Sequence, residues 1–307
     1  MLTTVAAETR DVLPAHMWRD RARRHEERID DLVGPHLARR QNGVKHPVHD
    51  FLFTYYSQRP AQLRRWHPGR GVALRDAQEY DGRTGYTVSE GTARVSAEYA
   101  GSRSRLADAT YHLLTATAGR DAQLGCFGLH EWAMVHRLSE DATRHPQHPL
   151  RLGRDGTDAV VESHRITCTH FDAFRFFTPS ARSLNTVSPR ADDRAAYEQP
   201  GCLHATMDLY KHAFRLTPLI PSELVADCFA LALDVRVVDM RASPYDLAAL
   251  GVEPLRIETA DGKRDYAAAQ RAFAERAAPL RESLRKWSRQ IAAEGNPTTL
   301  GRPGSAR

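Results

Sequence analysis

Three cysteines each have a histidine shortly downstream: Cys126 and His130 in GCFGLHEW, Cys168 and His170 in ITCTHFDAF, and Cys202 and His204 in PGCLHATMD. A spacing of four shares a helix face and a spacing of two shares a strand face, so each pair can point one way. Carboxylates stand beside them: Glu131, Asp172 and Asp208. His204 and Asp208 are one helical turn apart, which lets both ligate or hydrogen-bond one group. If His130, His170 and His204 converge, they form a three-ligand metal site with an open position, with a neighbouring carboxylate as base. The same pattern also suits buried histidines hydrogen-bonded to acids, tying neighbouring segments together. A polar active site without metal is the third outcome.

A second group of residues suits a planar, anionic partner. Lys45, His46, His49 and Asp50 precede Phe51, Phe53, Tyr55 and Tyr56, and Arg59, Arg64, Arg65 and Trp66 follow. Bases stack on aromatic rings while arginine neutralises phosphate, so this mixture fits an extruded nucleobase. A cationic alkylated base gains further from cation–π contact with tyrosine or tryptophan. An aromatic core cluster with an exposed arginine face would leave the same trace. The segment FDAFRFF at 171–177 carries Arg175 between rings spaced for one buried helical face.

Other chemistries lose support. The chain has no G-x-x-x-x-G-K-[ST], no G-x-G-x-x-G after a strand, no G-x-S-x-G and no H-E-x-x-H. It has 41% hydrophobic and 26% charged residues over 307 positions, the usage of an ordinary globular protein. No run of about 18 apolar residues exists to span a membrane. No basic cluster followed by an apolar stretch opens the chain, so no signal peptide is expected. Four cysteines without a C-x-x-C fit a reduced, cytoplasmic protein. The net charge of +5 permits a nucleic-acid partner, but only four of the 43 basic residues are lysine. Such an arginine bias follows from GC-rich coding alone.

The elements that must position these groups read as predominantly helical, an α+β chain with one domain over 1–294 and a flexible tail over 295–307. Apolar residues from Trp18 to Leu37 recur at three- and four-residue steps and predict a helix over 14–40. The stretch 45–68 fits strand and helix equally, except that Pro60 can open a short helix. Residues 70–100 predict a small β-hairpin or sheet, and β-branched residues near 160–170 a further strand. Helices are expected over 106–118, 129–138 and 204–216, with loops over 139–158 and 180–200. Ser222 is expected to cap an apolar helix running to 238. A near-heptad pattern from Tyr266 to Ile291 predicts a last helix that Pro279 kinks or divides.

The segments KHPVHDFLFTYYSQRPAQLRRWHPG, CFGLHEWAMV, THFDAFRFFTP, EQPGCLHATMDLYK and DMRASPYDL resemble actinobacterial proteins labelled 3-methyladenine DNA glycosylase, over nearly the whole chain from Trp18 to Leu284. The chain carries neither the helix-hairpin-helix signature nor the helical repeats of known glycosylase classes, so no established catalytic residue transfers. The resemblance implies a DNA-repair N-glycosylase that extrudes an alkylated purine from double-stranded DNA and needs no metal or other cofactor. Asp50, Glu131, Asp172 and Asp208 are then the candidates for the catalytic carboxylate. Tyr55, Tyr56 or Trp66 would be the stacking surface, Arg64 and Arg65 the phosphate contacts, and His49 and Arg175 further substrate contacts. The alternatives are a zinc- or iron-dependent hydrolase or oxygenase acting on a small molecule through the His, Cys and carboxylate cluster, and a nucleic-acid-binding protein without activity.

Overall fold

The computed structural model describes residues 11–56 and 58–294, and the tail expected from residue 295 lies outside them. A short strand β1 (Asp11–Leu13) leads into α1 (Ala15–Gln41). Trp18, His25, Ile29 and Val33 are the buried positions of α1, the stripe that the apolar spacing requires. The ambiguous aromatic stretch folds as α2 (Phe51–Tyr55) and α3 (Pro60–Arg64), with Pro60 in the first turn. Packing settles what periodicity could not: Leu52 is fully buried, and the Tyr56 ring meets Tyr210 edge-on.

The expected hairpin is present and is part of a larger sheet. Strands β2 (Val72–Leu74), β3 (Tyr86–Ser89) and β4 (Thr92–Val95) join β1 in the order β1-β2-β4-β3. β1 pairs with β2 in parallel, Val12 opposite Ala73, and the other pairs are antiparallel, with Thr87 opposite Arg94. A separate aromatic cluster of Trp18, Trp66 and Tyr80 packs against this sheet.

Helix α4 (Ala97–Ala118) is longer than expected, because Ser96 accepts the Tyr99 amide and caps it at the N-terminus. α5 (Leu129–Ala133) is one turn rather than the expected ten residues. Gly128 enters it at φ 71, and an added Cβ would stand 3.1 Å from the Ala242 side chain, so only glycine brings the chain this close.

Residues read as loop and strand become α6 (Gly153–Ser163). Two glycines hide its signal, but Val160 and Val161 gain burial in the core, which outweighs weak propensity. The strand expected near 160–170 is therefore reduced to a single bridge, Ile166 opposite Asn185. The Asn185 amide supplies the missing ladder, accepting from the Cys168 amide at 2.7 Å and donating to its carbonyl at 3.0 Å. Short turns α7 (Phe171–Phe174), α8 (Pro179–Arg182) and α9 (Arg194–Tyr197) follow, the last two within the expected loop.

α10 (Leu203–Arg215) and α11 (Ser222–Arg241) form the centre. Ser222 does not cap α11: Pro221 occupies the cap, and the Ser222 hydroxyl accepts the His67 amide instead. α12 (Ala260–Glu294) runs unbroken through Pro279 and packs along α4, α10 and α11. Burial of Phe273, Ala277 and Leu284 on both sides of the proline holds the helix together across the lost hydrogen bond. The main core draws on residues from Ile29 to Ile291, so the described residues form one domain. None of the helices among them is long and apolar enough to cross a membrane.

Candidate functional site

One face of α10 carries His204, Asp208 and Lys211, at the steps of four and three that align side chains along a helix. His204 faces inward. Its ring lies 4.6 Å from that of His130 and 5.3 Å from that of His170, centroid to centroid. Three histidines far apart in sequence thus meet, as their pairing with cysteines suggested. The short turn behind Gly128 delivers His130, the Asn185-braced segment delivers His170, and α10 delivers His204.

The acids divide these histidines into two groups. His130 Nε2 lies 2.9 Å from Asp239 Oδ1, and Asp239 Oδ2 accepts from the Arg236 guanidinium at 2.6 Å. The same guanidinium reaches Glu131 at 3.0 Å and lies over the Phe51 ring. His170 Nε2 instead faces Asp208 Oδ2 at 3.4 Å and Glu198 Oε1 at 3.5 Å. Arg194 ties those two carboxylates together, donating to Asp208 at 2.7 Å and to Glu198. Although burial opposes it, the Asp239 carboxylate beside His130 raises that imidazole's pKa well above the usual value. Burial, with the His130 charge beside it, holds His204 far below the usual value and neutral.

The three histidines, their acid partners and Arg236 are buried. The space beside His130 and His204 is about 10 Å³, the size of one water, and is walled by Cys126, Cys168, Cys202 and Tyr266. A substrate cannot enter it.

Asp208 connects this interior to an open pocket of about 290 Å³, lined by Tyr55, Tyr56, Gln58, Asp172, Arg175, Lys211 and Arg215. The Tyr56 hydroxyl donates to Asp208 Oδ1 at 3.0 Å. Lys211 Nζ bridges Asp172 at 2.9 Å and Asp208 at 3.2 Å, and Arg175 Nε adds a contact to Asp172 at 3.3 Å. Desolvation alone would raise the Asp172 pKa, but the Lys211 charge prevails and holds it below the usual carboxylate range. Lys211 is raised despite burial, held in its charged form by Asp208 and Asp172. At neutral pH the pocket therefore presents an ionised carboxylate among three cations and two phenols, and Tyr55 stacks on Phe51 with centroids 5.0 Å apart.

The remaining sequence candidates lie elsewhere. Asp50 accepts from His36, Arg39 and the His46 amide, which makes it a clamp between α1 and the turn before α2. His49 packs its ring on His46. Glu131 is buried under Arg236 and away from solvent. Trp66 is 2% exposed, with Nε1 donating to Glu223 and the Arg21 guanidinium over its ring, and the little it exposes faces a groove separate from the Tyr55 pocket. Arg64 is paired with Glu26 and Asp30, and with Arg65 it lines a separate groove of about 480 Å³ near Trp18 and Tyr80.

Asp239, Lys211, Arg215, Arg194 and Glu198 were missed by reasoning from sequence. Arg236 and Asp239 are opposite charges three residues apart on α11, a spacing that lets them pair, but Glu223, Asp227, Asp234 and Arg241 on the same helix hide which charges are buried. Lys211, one of only four lysines and one turn beyond Asp208, was legible. No family model matches the sequence, and comparison with curated proteins and with solved structures gives no match.

Proposed function

We propose that the protein is a hydrolase of N-glycosyl bonds that removes an alkylated purine from DNA, and that the pocket of Tyr55, Asp172 and Lys211 is where it works. The observation that carries this reading is an ionised, half-buried Asp172 in an open pocket of about 290 Å³, beside Tyr55 and three cations. That volume is at the lower end of the roughly 300–1,000 Å³ range of small-molecule sites, a fit to one extruded base with its sugar. The resemblance to proteins labelled 3-methyladenine DNA glycosylase supports the choice of substrate.

The chemistry needs few parts. N3-alkylation makes the adenine cationic, so the base leaves with the electron pair of the C1′–N bond and departs neutral. The sugar becomes oxocarbenium-like, and water adds at C1′ while its proton passes to a carboxylate. Asp172 is placed to take that proton and to oppose the developing positive charge. Tyr55 offers a ring for the base. Arg175 and Arg215 flank the pocket as phosphate contacts. Asp208, behind Tyr56 and Lys211, is a positioning residue: it fixes the lysine that sets the charge of Asp172.

The test is release of free base. Purified protein is incubated with methylated duplex DNA and the supernatant is analysed by chromatography for 3-methyladenine. The expected result is protein-dependent release. If no base appears while the protein still binds the same duplex, the reading gives way to nucleic-acid binding without catalysis.

A further inference from the structure

The sealed half of the site has no task in the proposed hydrolysis, and its geometry is unusual for a simple ion pair. His130 Nε2 and Asp239 Oδ1 are 2.9 Å apart, yet neither atom has a hydrogen-bond partner among the described residues. The two atoms stand at ion-pair distance from each other, with no further hydrogen-bond donor or acceptor of the described residues beside either one. Holding this pair in the interior with no other partner is costly, because each atom forfeits its solvation. His130 is 2% exposed and Asp239 is 0% exposed.

Two donors that share a metal ion meet this description. Ligands about 2.0–2.2 Å from one ion stand roughly 2.8–3.6 Å from each other at ligand–metal–ligand angles of about 90–110°, and the observed 2.9 Å falls at the narrow-angle end of that range. A third donor is at hand. A ring nitrogen of His204, one of His130 and an oxygen of Asp239 all lie within 4.8 Å of one another. The surroundings are those of ligands held in place. Arg236 fixes the other oxygen of Asp239 at 2.6 Å, and Cys126 Sγ lies 3.7 Å from His130 Nδ1. The buried trio of Glu131, Arg236 and Asp239 holds two carboxylates against one guanidinium, leaving one negative charge that either a protonated His130 or a metal cation in place of that proton would balance.

We propose that His130, His204 and Asp239 hold one divalent first-row transition ion, zinc or iron, in the interior of the protein. Two imidazoles and one carboxylate are a donor set of intermediate softness, which favours such ions over calcium or magnesium. The small space beside His130 and His204 admits one further ligand no larger than water. The site is closed to substrate, so the ion joins α5, α10 and α11. His170, in ring contact with His204 and facing Asp208, separates it from the open pocket. The proposal is independent of the glycosylase reading, because the pocket residues are not ligands.

The test is metal analysis of the full-length protein by plasma mass spectrometry, beside the variants Asp239→Asn and His204→Gln and the control His212→Gln. One equivalent of zinc or iron is expected in the wild type and in the control, falling at least tenfold in both site variants. Should the variants fail to fold, wild-type protein stripped with a chelator keeps the idea testable. Added Co2+ should then give visible d–d absorption saturating at one equivalent, and Zn2+ at 100 times its Kd should raise Tm by about 5 °C. Wild-type protein that purifies without zinc or iron and shows neither the Co2+ bands nor the Tm rise would overturn the proposal. So would metal retained in full by a folded Asp239→Asn variant.

Discussion

Asp208→Asn isolates the group that joins the sealed interior to the pocket. The Asp208 side chain is 2% exposed and receives Tyr56 at 3.0 Å, Arg194 at 2.7 Å and Lys211 at 3.2 Å, with His170 at 3.4 Å. Asparagine keeps the volume but removes the charge, and its amide cannot replace the two carboxylate oxygens toward Arg194 and Lys211, which only donate. Breaking one partner out of a buried ion pair costs about 3–5 kcal/mol. Arg194 keeps Glu198 and Lys211 keeps Asp172, which places the expected loss near the lower end, about 3 kcal/mol. Urea unfolding should show that loss as a lower midpoint at unchanged slope. At roughly 2 °C per kcal/mol for a chain of this size, Tm falls by about 6 °C. In Asp208→Asn combined with Lys211→Met, the losses should fall short of additive by at least ~0.5 kcal/mol, since the two side chains share one contact. A loss below about 1 kcal/mol, or strict additivity, would refute the view that Asp208 is the buried anchor of the pocket's charge.

Three further outcomes follow from the same contacts. Tyr55→Ala should weaken binding to an alkylated duplex by about 1–3 kcal/mol, the worth of one stacked base, while leaving binding to unmodified duplex unchanged; equal losses on both DNAs would remove Tyr55 from base recognition. Arg215→Ala should reduce the slope of log affinity against log salt by about 0.9, the value for one phosphate contact on duplex DNA, and an unchanged slope would exclude that contact. Stability should fall as pH drops from 6.5, because burial depresses His67 and His212 to about 3, so they stay neutral in the fold while the unfolded chain takes up protons. Each costs about 1 kcal/mol between pH 6.5 and pH 5.5, measured as a falling urea midpoint, and His212→Gln should flatten that dependence.

Much of the architecture was legible because long helices leave a periodic trace. The stripe from Trp18 to Val33 and the pattern from Tyr266 to Ile291 could be read from apolar spacing alone. Short elements could not. α6 starts among glycines, and α5 is one turn held by Gly128 against Ala242, so both owe their form to the core rather than to propensity. The convergence of His130, His170 and His204 was readable because each follows a cysteine at a spacing that shares a face. Sequence could not sort them, because the sorting is done by Asp239 and Glu198, acids whose own segments gave no sign of facing a histidine. Exposure was equally hidden: Trp66 and Tyr55 look alike in an aromatic stretch, but Trp66 is 2% exposed with Arg21 over its ring, and the two residues line different pockets.

The most direct test of the account is base release under single-turnover conditions by wild type and by Asp172→Asn, each on the same methylated duplex with binding measured alongside. Loss of the carboxylate should slow release by about 10²–10⁴-fold with duplex affinity nearly unchanged, the signature of a group that acts on the reacting water. Release at the wild-type rate from a folded Asp172→Asn variant would contradict the account and move the chemistry out of this pocket.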